Sequence, residues 1–320
     1  MKHIALALLL ALAACAPSPE APPQYAAVTQ HDQAFQGRFR HEFQDVDGVK
    51  MHYVKGGSGT PVVLIHGWPQ TWYGWWPIMP KLAEQHTVYA IDLPGLGDST
   101  GTPGSYDKAT LARYVHKLIA ETLNVRNASI IGHDLGAAVA FQYASRFPAD
   151  TARLGYLDLP LPGPAIDGRT YRNLSWHIAF HSQPQVPEAV VGNDVREYLK
   201  LFYPQVSFNG TAFGGTSTQS PFTDAEIDEY ARTYQKPEAL KGGFGLYRAL
   251  DQDVSDTTKA APVKTPTLIM AAQGQAQAIR GTAAPRMTNI VRAVDVPHAG
   301  HWLAEENPEF VTAELLSFLK

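Results

Sequence analysis

The chain of 320 residues has a single cysteine, Cys15. One thiol cannot form an internal disulfide, so the sequence is not a disulfide-stapled scaffold. Long apolar runs are also missing. The run from Ile4 to Ala14 is too short to cross a bilayer, and no later segment is longer. Charge of one sign is scarce: 26 basic and 30 acidic residues give a formal net charge of -4. With no basic stripe, that balance gives no case for nucleic acid as a partner. No internal repeat is evident. Hydrophobic residues make up 45% and charged residues 18%, the balance of an ordinary globular protein.

The N-terminus reads as a targeting segment. Lys2 and His3 give a short basic start, and the apolar run follows, as in a secretory signal peptide. It ends in Leu12-Ala13-Ala14-Cys15, which resembles a bacterial lipobox. The resemblance implies a lipoprotein signal over residues 1–15, a lipid on Cys15, and an exported, membrane-anchored protein on the periplasmic or cell-surface side. Residues 16–34 are rich in Pro and Ala, bury little, and read as a tether.

Strand and helix signals then alternate. Phe39 to Tyr53 contains the turn pair Asp47-Gly48 and predicts a hairpin. Val62 to Ile65, Thr87 to Ile91, Ala128 to Ile131 and Leu154 to Leu157 predict buried parallel strands. Lys108 to Leu123 and Gly136 to Phe147 predict helices between them. Between Pro160 and Pro262 the β signal stops. Aromatic-rich helical stretches replace it, over Tyr171 to Phe180, Glu188 to Phe202, Asp224 to Thr233 and Pro237 to Leu250. Strands return at Thr267 to Ala271 and Arg292 to Val296, and a helix over Pro308 to Leu319 closes the chain. This is an α/β pattern with a mostly parallel sheet and helices on both faces. The expected core is residues 35–160 and 262–320, and the expected helical cap is residues 161–261.

The central motif is Gly132-His133-Asp134-Leu135-Gly136, between a predicted strand and a predicted helix. A turn this tight admits only small residues two positions either side of its centre. The motif resembles the nucleophile elbow of the α/β-hydrolase superfamily and implies that fold. Esterases of the fold carry Ser at the centre; here it is Asp134. A carboxylate is a poor acyl nucleophile, because the product would be an anhydride. Toward an sp³ carbon bearing a leaving group it is competent and forms an alkyl ester. Taken alone, Asp134 could equally be a helix N-cap. The same resemblance assigns the oxyanion hole to the backbone N–H groups of Trp68, in His66-Gly67-Trp68-Pro69, and of Leu135. His301, in His298-Ala299-Gly300-His301-Trp302, is the candidate general base, with His298 as its competitor. The loop Ala272 to Gln277 holds no acid, so the orienting carboxylate is assigned to Asp158, in Tyr156-Leu157-Asp158. In the cap, His177 and Tyr247 are candidate acids for the leaving group, although a lone cap His or Tyr more often packs than reacts. The set calls for no metal and no cofactor.

Residues 35 to 320 resemble, within that superfamily, the epoxide hydrolase group related to the bacterial cystic fibrosis transmembrane conductance regulator inhibitory factor. The resemblance rests on Gln70-Thr71-Trp72-Tyr73, Asp92-Leu93-Pro94-Gly95-Leu96-Gly97, Trp176-His177, Tyr230-Ala231-Arg232-Thr233-Tyr234 and Tyr247-Arg248-Ala249-Leu250. It implies that His177 and Tyr247 are the ring-opening pair and that a small apolar epoxide is the substrate. Asp158 departs from the inhibitory factor's Glu, and a lipobox departs from the group's soluble secreted members. Two alternatives are a haloalkane or haloacetate dehalogenase using the same nucleophile and a catalytically silent binding protein. Leu135 and Ile178 stand where dehalogenases place halide-binding Trp, and Leu135 and Ala138 where haloacetate enzymes place Arg. Trp68 and Trp176 remain as possible indole donors to a halide.

Overall fold

A computed structural model of the chain describes residues 35 and 37–320. The signal segment, Cys15 and the tether lie outside them. Eight strands form one sheet: β1 (Phe39–Val46), β2 (Val49–Gly57), β3 (Thr60–Ile65), β4 (His86–Ile91), β5 (Ala128–His133), β6 (Thr151–Leu157), β7 (Thr267–Ala271) and β8 (Ile290–Asp295). Their spatial order is β1-β2-β4-β3-β5-β6-β7-β8. The hairpin β1–β2 joins β4 antiparallel, and from β4 to β8 every pairing is parallel. The α/β-hydrolase architecture expected from the sequence is therefore present.

The parallel strands read as near-continuous apolar runs because both faces are covered. Val62, Val63, Leu64 and Ile65 are fully buried, as are Ile130 and Ile131. The helices Lys108–His116 and Leu135–Arg146 pack together on one side. After His116 the first of them continues through Thr122 in wider, π-type turns.

Between β6 and β7 the chain is helical. Helices span Gly168–Arg172, Trp176–His181, Val186–Val191, Val195–Val206, Asp224–Tyr234, Pro237–Arg248 and Leu250–Lys259. The stretch expected as one helix over Glu188 to Phe202 is two. Gly192 closes the first, and the Asp194 side chain caps the second by accepting from Glu197 N at 3.1 Å. The stretch expected over Pro237 to Leu250 ends at Arg248, and a further helix, Leu250–Lys259, follows it that the sequence pattern does not mark. These helices are fastened to the sheet through Arg232, which donates to both Asp98 carboxylate oxygens at 2.8 and 2.9 Å. Among the described residues no helix is long and apolar enough to cross a membrane.

Candidate active site

Parallel strands deliver their following loops to one edge of the sheet, where open α/β folds place ligands. Trp68 follows β3, Asp134 follows β5, Asp158 follows β6, Ala272 follows β7 and His301 follows β8. All five meet at that edge.

Asp134 sits in the turn between β5 and the helix Leu135–Arg146 at φ 51° and ψ -135°. Such a conformation is costly for a residue with a Cβ and persists only where the surroundings impose it. The flanking glycines permit it. A Cβ on Gly132 would lie 2.2 Å from the Gly136 carbonyl oxygen, and one on Gly136 would lie 2.3 Å from that of His66. Gly67 is equally constrained, since its Cβ would stand 2.3 Å from Asp134 Oδ2.

The carboxylate is held at both oxygens. Trp68 N donates to Oδ2 at 2.8 Å, and His301 Nε2 lies 3.6 Å from Oδ1. Burial would raise the Asp134 pKa, but His301, His133 and the Trp68 N–H outweigh it and hold it below the usual carboxylate range. Leu135 lines the cavity beside it.

His301 Nδ1 lies 2.6 Å from Asp158 Oδ2, and Asp158 Oδ1 accepts from Ala272 N at 2.8 Å. Burial opposes the imidazolium, but the flanking carboxylates of Asp134 and Asp158 prevail and push His301 up to about 10. The loop bearing His301 is pinned at several points. His301 N donates to Val206 O at 2.8 Å, and Glu306 Oε1 accepts from Gly300 N and Trp302 N at 3.1 and 3.0 Å. His133 Nε2 lies 2.7 Å from the His301 carbonyl oxygen. The competing His298 is exposed and packs edge-on to Phe208, at 5.7 Å between ring centres.

A cavity of about 380 Å³ opens on Asp134 and His301, with His177 and Tyr247 in its wall. The rings of that pair lie 6.1 Å apart at 90°. Burial pushes His177 down to about 4, so its imidazole is neutral near neutral pH, and burial raises Tyr247 well above an ordinary phenol. Ser175 Oγ lies 2.9 Å from His177 Nδ1. Ser175 was not singled out by the sequence, and nor were Tyr171, Gln275 and Ile279, which also line the cavity. Two positions before a histidine, a serine carries no motif, and the other three reach the cavity only through the fold.

Both tryptophans left open as halide donors point elsewhere. Trp68 Nε1 is buried without a partner, and a Cβ on Gly243 would lie 2.6 Å from it, so the indole N–H faces the helix Pro237–Arg248. Trp176 Nε1 donates to Gln205 Oε1 at 3.0 Å, and the side chain is half exposed. Among the described residues, no lysine or arginine lines the cavity.

His52, Asp92 and Asp98 also gather, with ligand atoms within 4.8 Å of one another. Their atoms are already engaged. His52 Nδ1 meets Asp92 Oδ2 at 2.7 Å, Asp92 accepts from Trp72 N and Asp98 N at 2.8 Å each, and Asp98 is paired with Arg232.

Known proteins share this framework. Residues 60–154 match the family model described as the alpha/beta hydrolase fold. The chain is 34% identical over 287 residues to a soluble epoxide hydrolase of Corynebacterium sp. (strain C12), covering 87% of this chain and 96% of that one. It is 28% identical over 301 residues to a fluoroacetate dehalogenase of Burkholderia sp., covering 89% and 95%. The crystal structure of the Cif epoxide hydrolase from Acinetobacter nosocomialis superposes with a TM-score of 0.77 at 25% identity, over 95% of this chain and all of that one, 100%.

Proposed function

We propose that this chain, which belongs to the epoxide hydrolase group of the α/β-hydrolase superfamily, opens epoxides to vicinal diols through an ester on Asp134. The observation that carries the proposal is the pair of contacts on the Asp134 carboxylate. The Trp68 N–H holds Oδ2, where an ester carbonyl oxygen needs a donor, and Oδ1 is the oxygen nearest His301.

In the proposed reaction, Asp134 Oδ1 attacks an epoxide carbon and the carbon–oxygen bond of the ring breaks. Tyr247 gives its phenolic proton to the departing oxygen. With Ser175 donating to Nδ1, His177 presents Nε2–H to the same oxygen. Ester formation cancels the Asp134 charge, which removes one of the two anions holding the His301 proton. That proton passes through water to the Tyr247 phenolate and leaves a neutral imidazole. His301, oriented by Asp158, then takes a proton from water as the hydroxide adds to Asp134 Cγ. The oxyanion forms on Oδ2, facing the Trp68 and Leu135 N–H groups. Collapse breaks the ester bond, the diol oxygen takes the proton from His301, and Asp134 returns its acid proton to His301. One epoxide and one water give one diol.

Dehalogenation would share the first step, and the similarity to the fluoroacetate dehalogenase keeps it as the alternative. A halide needs donors but no proton, whereas an alkoxide needs an acid. The Trp68 indole N–H faces the helix Pro237–Arg248, that of Trp176 is taken by Gln205, and among the described residues no lysine or arginine lines the cavity to hold a substrate carboxylate. The largely apolar wall, including Leu159, Ile166, Ile178 and Phe202, supports an aliphatic or aromatic epoxide substrate. Diol release from terminal epoxides, assayed beside halide release from bromoalkanes and fluoroacetate, tests the proposal. Halide release without diol formation would overturn it.

We also propose that the chain is exported and anchored through a lipid on Cys15, on the strength of the lipobox-like segment alone. Cys15→Ser should move the protein from the membrane fraction to the soluble one with unchanged activity; persistence in the membrane fraction would contradict this.

A further inference from the structure

A lysine at the first position of a helix meets the positive end of the helix dipole, a place that disfavours a cation. Lys108 opens the helix Lys108–His116, directly after the capping residue Asp107, yet its side chain is only 1% exposed. Its partners account for this. Nζ donates to Asp253 Oδ2 at 2.6 Å and to the Leu246 carbonyl oxygen, and the Lys108 N–H donates to Asp253 Oδ1 at 2.8 Å.

Leu246 is the residue before Tyr247, in the last turn of the helix Pro237–Arg248. Carbonyls of a last turn lack regular helical partners and attract a cation. Asp253 belongs to the next helix, Leu250–Lys259. One buried ammonium therefore joins the sheet domain to the helix that carries Tyr247 and to the helix that follows it. Tyr106, two residues before Lys108, completes the fixture. A Cβ on Gly242 would lie 2.6 Å from the Tyr106 hydroxyl, and one on Gly245 would lie 2.7 Å from the Tyr106 ring. The bare glycine face lets this ring seat directly on the helix.

We propose that Lys108, paired with Asp253, is a positioning residue that fixes the Tyr247 phenol over the nucleophile for ring opening. The proposal rests on the ring-opening role of Tyr247 given above. A buried ion pair contributes little net stability but imposes one geometry, and here that geometry is the placement of the acid. Lys108 reaches no cavity-lining atom itself, so it acts only on the step that uses Tyr247.

The test separates the two chemical steps, with styrene oxide as probe. Adduct formation is followed by quenched-flow intact mass in a His301→Gln background, and adduct hydrolysis in the protein with His301 intact. Three changes are compared: Tyr247→Phe, the neutral pair Lys108→Met with Asp253→Leu, and Gly245→Ala. Replacing both charges leaves no buried ion unpaired. Gly245→Ala shifts the same turn without touching the pair. The neutral pair and Gly245→Ala should each slow adduct formation by about tenfold or more, the scale of a displaced catalytic group. Hydrolysis should change less than about twofold, and Tyr247→Phe added to the neutral pair should give little further loss. Normal adduct formation in the neutral pair, equal slowing of both steps, or full additivity with Tyr247→Phe would overturn the positioning role. If Tyr247→Phe alone leaves adduct formation unchanged, the ring-opening role of Tyr247 falls, and the Lys108 proposal falls with it.

Discussion

His301 Nδ1 lies 2.6 Å from Asp158 Oδ2, so the acid paired with this histidine comes from the end of β6, not from the loop after β7. That loop contributes only a backbone donor, Ala272 N, which fixes the other Asp158 oxygen at 2.8 Å. The carboxylate is thereby held at both oxygens. In the proposed reaction it would fix the ring's orientation and stabilise the charge that His301 gains on taking a proton from water.

Asp158→Asn should preserve the shape of this contact while removing its charge. An amide can settle with its NH₂ against Nδ1 and place the imidazole proton on the wrong nitrogen. Ester hydrolysis should fall by about a thousandfold, while ester formation changes far less. Stopped-flow separation of the two steps checks this, and an equal loss in both would remove Asp158 from the base's support.

Gly67→Ala should misplace the nucleophile. The added methyl would stand 2.3 Å from Asp134 Oδ2, with the Asp134 backbone already confined to positive φ. The carboxylate must then move away from the Trp68 N–H. A loss of about a hundredfold in kcat/KM is expected for a displacement on the order of 1 Å. An alanine variant of normal activity would show that the oxyanion contact has no part in the reaction.

The two steps should also differ in pH dependence. Asp134 is held below the usual carboxylate range, so it stays ionised as pH falls toward about 5, and ester formation should be flat across that window. His301 is pushed up to about 10 while both neighbouring carboxylates are charged. Once Asp134 is esterified, one of those charges is gone and the His301 pKa drops. Hydrolysis needs the neutral imidazole, so its rate should fall as pH is lowered through that reduced value. Single-turnover rates measured across pH test the sign. A histidine-like acid limb near about 6.5 on ester formation would contradict it.

The sheet and the elbow were legible because their signals are local. The β-branched runs of β3 and β5 are buried on both faces, and Gly132 and Gly136 mark the positions where the turn has no room for a Cβ. The break at Gly192 to Asp194 was also written in the sequence as a glycine stop and an aspartate cap, but the apolar spacing on either side masked it. Lys108 was not legible. By type and position it reads as a solvated helix start, and only Asp253, 145 residues away, makes it a buried ion. Ser175 beside His177, and Gln70 at 2.8 Å from His133 Nδ1, are likewise contacts that composition and spacing do not mark.

The central claim is that Asp134 forms a covalent ester that water opens at the carboxyl carbon. It is tested most directly by a single turnover in heavy-oxygen water with enzyme in excess over styrene oxide. The label should enter the Asp134 carboxylate, read by mass spectrometry of the peptide spanning β5 and the following helix, and the first-turnover diol should carry almost none. Label found in that diol, with an unlabelled Asp134, would mean that water attacks the epoxide directly, and the covalent account would be wrong.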